Sequence, residues 1–196
     1  MNPLLKTMNR GPIFRFTHAL ACWQKRRQFA RWRRQMNVTS AIDPDAIFAG
    51  NLDALESAQI GAGTEIQRQC RIWLGDEKSD NPKLILGRRV FIGQGTHLSV
   101  MQPLTIGNDT LIGANCYLLT CQHRFESRTI PIRDQGYDCQ PLNIGEAVWI
   151  GANCVIMPGI EIWRGAIIGA CSVVTKNVGA FEIWAGVPAK KIKDRP

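Results

Sequence analysis

Residues 144–178 read IGEAVWIGANCVIMPGIEIWRGAIIGACSVVTKNV, and cut into sixes they become IGEAVW, IGANCV, IMPGIE, IWRGAI, IGACSV and the start of another unit. An aliphatic residue leads every unit: Ile144, Ile150, Ile156, Ile162, Ile168 and Val174. Glycine often follows it, as at Gly145, Gly151 and Gly169, and four places on comes a small or β-branched residue in most units: Val148, Cys154, Ala166, Ser172, Val178. This is neither the 3.6-residue period of a helix nor the alternation of an ordinary strand. Working outward, the same beat runs through Ile106, Ile112 and Leu118, through Leu86, Ile92 and Leu98, and back through Ile42, Phe48, Ala54, Ile60, Ile66 and Ile72. The small place is kept there too, by Ala46, Thr64, Cys70, Val90, Thr96, Thr110 and Cys116.

A period of six calls for a short strand that turns a corner and starts again. The leading aliphatic residue and the small residue four later both point inward, and glycine in second place is expected to supply backbone angles that a Cβ forbids. Three such units close one coil of a parallel β-helix, whose stacked coils share a core. The beat slips between 72 and 86, 98 and 106, and 118 and 144, where loops should leave the solenoid. Cys70, Cys116 and Cys154 occupy the small inward place and read as compact buried hydrophobes rather than redox or metal groups.

The chain has 196 residues with 45% hydrophobic and 20% charged residues, enough for one domain and against wholesale disorder. No run of ~20 apolar residues spans a bilayer, and the apolar core of a signal peptide is missing. Seven cysteines without CxxC pairs indicate neither a disulfide framework nor a zinc ribbon, so a reduced, cytoplasmic chain is expected. The net charge of +8 is concentrated: residues 1–37 hold nine Lys/Arg and no acid, whereas 38–196 hold 15 basic and 16 acidic residues. A basic segment on a neutral body gives no reason to expect nucleic acid.

The run from Ile144 to Val178, with GVPAKKI from Gly186, resembles the hexapeptide-repeat acyltransferases, in particular the branch of maltose, galactoside and surface-polysaccharide O-acetyltransferases. The resemblance covers residues 42–196. It implies an all-β, left-handed parallel β-helix, usually trimeric, with an N-terminal helical segment (1–40), a solenoid (41–183) bearing a loop (121–142), and a C-terminal tail (184–196). The left hand comes from the resemblance alone, since parallel crossovers are generally right-handed.

Residues 121–142, CQHRFESRTIPIRDQGYDCQPL, lose the beat and are rich in charge, as functional loops often are. His123 lies at the foot of this loop, where the family places its catalytic histidine, at the family's spacing from the hexad at Ile112. Moving an acetyl group from a thioester to an alcohol needs a base near neutrality, and an imidazole suits that task. Where many polysaccharide-modifying relatives carry His-x-His, this chain has Cys121-Gln122-His123. Cys121 as a nucleophile beside His123 is the less favoured alternative, because the family transfers directly within a ternary complex. The resemblance further implies acetyl-CoA as co-substrate, held by Ala152, Ala170, Thr175, Lys176 and Lys193, with the lysines meeting phosphates and Trp149 walling the acetyl pocket. No metal is expected: only His97 and His123 lie in the solenoid, and Arg128 stands where an HxxxxH pair would need its second histidine. That weighs against a γ-carbonic-anhydrase-like hydratase; His97 reads as structural.

The expected activity is acetylation of a hydroxyl on a sugar or surface-polysaccharide intermediate. N-acetylation of an amino sugar, or acetylation of a serine-like small molecule, is the alternative, and a non-enzymatic scaffold a weaker one. Residues 13–36 read as a helix with Phe29, Trp32 and Met36 on one face and arginines around it. Two roles stay open for it: peripheral contact with an anionic membrane surface, or a cap over the solenoid's open end.

Overall fold

The computed structural model describes residues 30–32, 34, 40–50, 54–55, 58–75 and 83–196. The chain winds as a left-handed parallel β-helix of triangular section. Each leading aliphatic residue except Ala54, which lies in a 3-10 turn, sits in a strand of two to five residues, and every third strand stacks in register on the one a coil earlier. One face, A, runs Ala41–Ile42, Glu65–Ile66, Phe91–Ile92, Leu111–Ile112, Trp149–Ile150, Ile167–Ile168 and Glu182–Gly186, closed by Ala189–Asp194. Face B stacks Ile47–Gly50, Arg71–Leu74, His97–Ser99, Tyr117–Leu119, Val155–Ile156 and Val173–Val174. Face C stacks Gln59–Ile60, Leu84–Leu86, Leu104–Ile106, Leu142–Ile144 and Glu161–Ile162.

The six-residue beat is the core. Ile72, Ile92, Leu98, Ile106, Ile112, Leu118, Ile150, Ile156, Ile168 and Val174 are fully buried. The small place is equally buried, and it carries a hydrogen bond between coils. Thr64 Oγ1 donates to the Gly87 carbonyl (2.7 Å), Thr96 Oγ1 to Gly113 (2.9 Å) and Thr110 Oγ1 to Gly145 (2.8 Å). Cysteine does the same work with sulfur: Cys70 Sγ bonds Gly93 O at 3.1 Å, Cys116 Sγ bonds Gly151 O at 3.2 Å, and Cys154 Sγ bonds Gly169 O at 3.1 Å. Thus where the small inward place is Thr or Cys it gives the corner carbonyl of the next coil a partner as well as saving volume, whereas Ala46, Val90, Val148, Ala166 and Val178 fill the same place by size alone.

The reason expected for the second-place glycines is corrected. They do not have left-handed backbone angles; the residue two places later does, including Gln69, Arg89, Asp109, Asn115, Ala147 and Asn153. The glycines are required by close approach between coils. A Cβ on Gly113 would lie 2.5 Å from the Ala152 nitrogen, and one on Gly61 2.5 Å from the Gly87 carbonyl carbon.

At the ends, Ala30, Arg31, Trp32 and Arg34 are helical; the rest of the helix expected over 13–36, including Phe29 and Met36, lies outside the described residues. Trp32 is buried edge-on against Phe48, ring centroids 5.0 Å apart, while Arg31 and Arg34 are exposed. At the other end the boundary expected at 183/184 falls inside the strand Glu182–Gly186, which pairs antiparallel with Ala189–Asp194 as a hairpin continuing face A.

Candidate functional site

The beat breaks after Leu118 because the chain leaves the prism at the edge between faces B and C. Cys121–His123 and Tyr137–Cys139 form a two-stranded antiparallel ribbon with three facing pairs: Cys121 with Cys139, Gln122 with Asp138, His123 with Tyr137. Its root is fixed to the solenoid, since Thr120 Oγ1 donates to Ser99 O (2.8 Å) and the Gln140 N–H donates to Thr120 O (2.8 Å). His123, in the outermost pair, is exposed, and its imidazole lies against the Tyr137 ring with centroids 4.4 Å apart and planes 34° apart. Beyond the ribbon, Gln135 Nε2 donates to Ser127 O and Ile130 O, closing the tip, while Phe125, Ile130 and Ile132 stand exposed.

Cys121 and Cys139 are joined by a disulfide. This corrects the expectation of a fully reduced chain and removes Cys121 as a free nucleophile in this state. Nothing in an 18-residue spacing announces such a pair; only the ribbon register places the two residues opposite each other. The buried thiols behave differently. Burial pushes the Cys70 thiol up; the hydrogen bond shared between Cys116 and Cys154, then burial, pushes that of Cys116 up, while the same bond outweighs burial and draws that of Cys154 down.

The other expected site residues fall on three parts of the prism: the B–C edge, the A–B edge and face A. Thr175 and Lys176 follow the strand Val173–Val174 at the B–C edge and are exposed. Val174 pairs with Ile156, and Ile156 with Leu118, so these residues lie two rungs along the edge from which the ribbon departs, roughly 10 Å by the spacing of paired strands. Ala152 and Ala170 occupy successive rungs of the A–B edge, because Ile150 pairs with Ile168. Trp149 projects from face A, 53% exposed. A single row of register joins Trp149 to Ile167, Ile183 and finally Lys193, three strand spacings or roughly 14 Å away. His97 lies on face B against Tyr117 (centroids 5.2 Å), and burial, then the Arg71 charge, holds its imidazole below the ordinary range. The structure therefore separates the two solenoid histidines by role: His97 stacked on a face, His123 presented on a ribbon.

Among the described residues no group of three or more His, Cys, Asp or Glu side chains is placed to hold a metal ion. Apolar side chains stand open on faces A and B, including Leu111, Trp149 and Tyr117, in rows that also hold the exposed Glu65 and Arg71. The Tyr137 partner and the ribbon itself had no signal in the six-residue beat; only the loss of rhythm marked the segment.

Two family models match, one described as bacterial transferase hexapeptide (six repeats) over residues 141–176 and one as hexapeptide repeat of succinyl-transferase over 103–120. A probable acetyltransferase, Rv3034c of Mycobacterium tuberculosis, is 30% identical over 159 residues, covering 78% of this chain and 53% of that protein. The putative colanic acid biosynthesis acetyltransferase WcaF of Escherichia coli is 32% identical over 113 residues, covering 58% of this chain and 59% of WcaF. The chain thus spans about half the length of the curated relatives it matches. Among solved structures, a variant of AntD, an N-acyltransferase from Bacillus cereus in complex with coenzyme A and dTDP-4-amino-4,6-dideoxyglucose, superposes with a TM-score of 0.68 at 22% identity, covering 84% of this chain and 89% of AntD. That likeness is one of fold.

Proposed function

Because the chain carries the repeat of the bacterial hexapeptide transferases, we propose that it is an acetyl-CoA-dependent O-acetyltransferase acting on a hydroxyl of a sugar or surface-polysaccharide intermediate. The observation that carries this reading is the placement of His123: an exposed imidazole, backed by Tyr137, on a ribbon that leaves the edge bearing Thr175 and Lys176. The acceptor class is supported by the name of WcaF. Attack of an acceptor oxygen on the thioester carbonyl forms the new C–O bond while His123 takes the hydroxyl proton. Collapse of the tetrahedral adduct breaks the C–S bond, and the imidazolium returns the proton to the departing thiolate. Two bound substrates meet directly, with no acyl-enzyme.

Coenzyme A lies along the A–B edge over Ala152 and Ala170, offering its amides to backbone groups, with Thr175, Lys176 and Lys193 toward its polar parts and Trp149 beside the acetyl group. Lysine ammonium groups serve the phosphates as point charges. Trp149 and Lys176 stand on different faces, which favours a cleft completed by a neighbouring copy. A cyclic trimer supplies three such clefts and covers the open apolar side chains of faces A and B. We assign the enzyme to the cytoplasm; Trp32 turned inward against Phe48, with Arg31 and Arg34 outward, supports a cap on the first coil whose outer surface meets anionic lipid. Deleting residues 1–37 should then weaken binding to anionic vesicles, and unchanged binding discards the membrane role.

The central test is chromatographic measurement of acetyl-CoA consumption across a panel of sugars and glycan fragments. His123→Ala should lose roughly 10²–10⁴-fold in kcat, the usual worth of a general base. Near-normal turnover in that variant would remove the assignment.

A further inference from the structure

The ribbon that presents His123 contains only three residue pairs, and two strands of that length are marginal in water without other support. Beyond the third pair the arms are tied by exposed or half-buried hydrogen bonds, among them the Ser127 N–H to Gln135 Oε1 (3.0 Å) and Gln135 Nε2 to Ser127 O (2.9 Å), with no buried apolar contact to add to them. The Arg124 N–H donates to Gly136 O at 3.1 Å, but the 3-10 turn Ile132–Asp134 buries none of its residues and the aromatic and aliphatic side chains of the tip are open to solvent. The pairing register decides where the imidazole points, since a slip by one residue would turn every side chain of the strand to the opposite face. Cys121 and His123, two apart, project to the same face, as do their partners Cys139 and Tyr137. The disulfide therefore joins the innermost pair directly below the His123–Tyr137 contact, on its own side of the ribbon.

From this placement we infer that the Cys121–Cys139 disulfide, with Tyr137, positions His123 by locking the ribbon register, so that turnover follows the redox state of that pair. The inference rests on the proposed role of His123 as base. The bond forms when a low-molecular-weight disulfide is attacked by the Cys121 thiolate, releasing one small thiol. Cys139 then attacks the Cys121 sulfur of the mixed disulfide and releases the second. Two protein thiols and one small disulfide thus become one protein disulfide and two small thiols. A dithiol reverses the sequence and leaves as its own cyclic disulfide. Both cysteines are half-buried at the ribbon surface, within reach of a small thiol or disulfide, whereas Cys70, Cys116 and Cys154 are locked inside the prism; Cys171 is exposed and free, and its alkylation in every sample serves as the reference for an open thiol.

The test uses the full chain, isolated without reductant, and compares four samples: as isolated, treated with dithiothreitol, Cys139→Ser, and Tyr137→Ala. Peptide mapping after alkylation should find Cys121 and Cys139 protected and linked in the first sample only among wild-type preparations. NMR of the histidine ring C–H groups should show the His123 signals displaced by the Tyr137 ring in the oxidised protein. Reduction should move or broaden them while His97 stays fixed, and re-oxidation with glutathione disulfide should restore them in wild type but not in Cys139→Ser. Acetyl-CoA consumption, with water or p-nitrophenyl galactoside as acceptor, should fall on the order of tenfold in kcat with KM for acetyl-CoA unchanged, the scale of a misplaced group. Two free thiols at these positions in the isolated protein, or His123 signals indifferent to reduction, would overturn the inference. The outcome for the base is read separately: His123→Ala consuming acetyl-CoA at the wild-type rate defeats the proposed reaction while the ring signals still judge the clamp.

Discussion

At the scale of single residues, the prism is decided by atoms that are missing. Gly113 has no room for a side chain because the next coil's Ala152 nitrogen stands 2.5 Å from where a Cβ would be. Gly113→Ala should cost about 1–3 kcal/mol in denaturant unfolding, the range for forced overpacking. Gly136, in the ribbon turn, has open space but a φ of +78°. Gly136→Ala should therefore cost roughly 1 kcal/mol from backbone strain alone. Thr110→Val keeps the volume yet leaves the Gly145 carbonyl without its donor, with an expected loss of about 1–3 kcal/mol. These residues were legible in sequence as positions, and every small inward residue named from the beat is buried. The reasons were less legible. A six-residue pattern reports which places are small; it does not say whether smallness serves a backbone angle, a neighbouring coil or a hydrogen bond.

At the scale of elements, the C-terminal hairpin is held by one carboxylate. Glu182 accepts from Lys191 Nζ (2.7 Å), from Trp184 Nε1 (2.8 Å) and from the Gly179 N–H (2.8 Å), and Lys191 also reaches Asp194. The Lys191 bond first, then those of Trp184 and Gly179, hold the Glu182 carboxyl down at about 2 against an ordinary 4.5. A carboxyl lowered in the folded state contributes its stabilisation above its ordinary value and loses it as pH falls from there through about 2. Protection from hydrogen exchange over residues 182–194, taken relative to the intrinsic amide rate at each pH, should therefore fall between pH 4.5 and 2 in wild type. Glu182→Gln should be poorly protected at every pH in that window, and, on the proposed coenzyme site, affinity for coenzyme A should fall with it because Lys193 is carried on the same strand. The ribbon is the other element outside the beat. Its sequence announced itself only by losing rhythm, because antiparallel pairing across a long turn leaves no fixed spacing for a reader to count. His123 was legible through a family spacing, while Tyr137 and the disulfide depend on a register that only the folded chain displays.

At the scale of the whole molecule, the open apolar side chains of faces A and B set the expectation of assembly. Leu111, 49% exposed, pairs in register with Trp149, so a charge there meets any neighbouring copy at the proposed cleft. If the proposed trimer and shared cleft hold, Leu111→Asp should shift sedimentation from trimer to monomer and reduce turnover with it. A monomeric wild type with full activity would refute the shared cleft. The architecture itself was open to reading because a solenoid repeats one local rule, so each unit confirms the last. The arrangement of copies has no such redundancy in a single chain.

Ile150 pairs with Ile168, eighteen residues on, and Ile168 follows Ile150 by one full circuit of the prism. Within the rungs, length can therefore be edited only by whole circuits; a loop that leaves at a corner, as after Leu118, adds residues without turning the rungs, so that Ile112 still pairs with Ile150. Adding or deleting eighteen residues between the ribbon and the last rung would slide Lys176 along its edge by one step and leave its bearing unchanged. Removing six would swing every later residue a third of the way round the axis, carrying Lys176 to another wall. Drift in this scaffold is thus quantised by the circuit, and a carrier of different length can be fitted by whole turns while the compass direction of the chemistry is preserved.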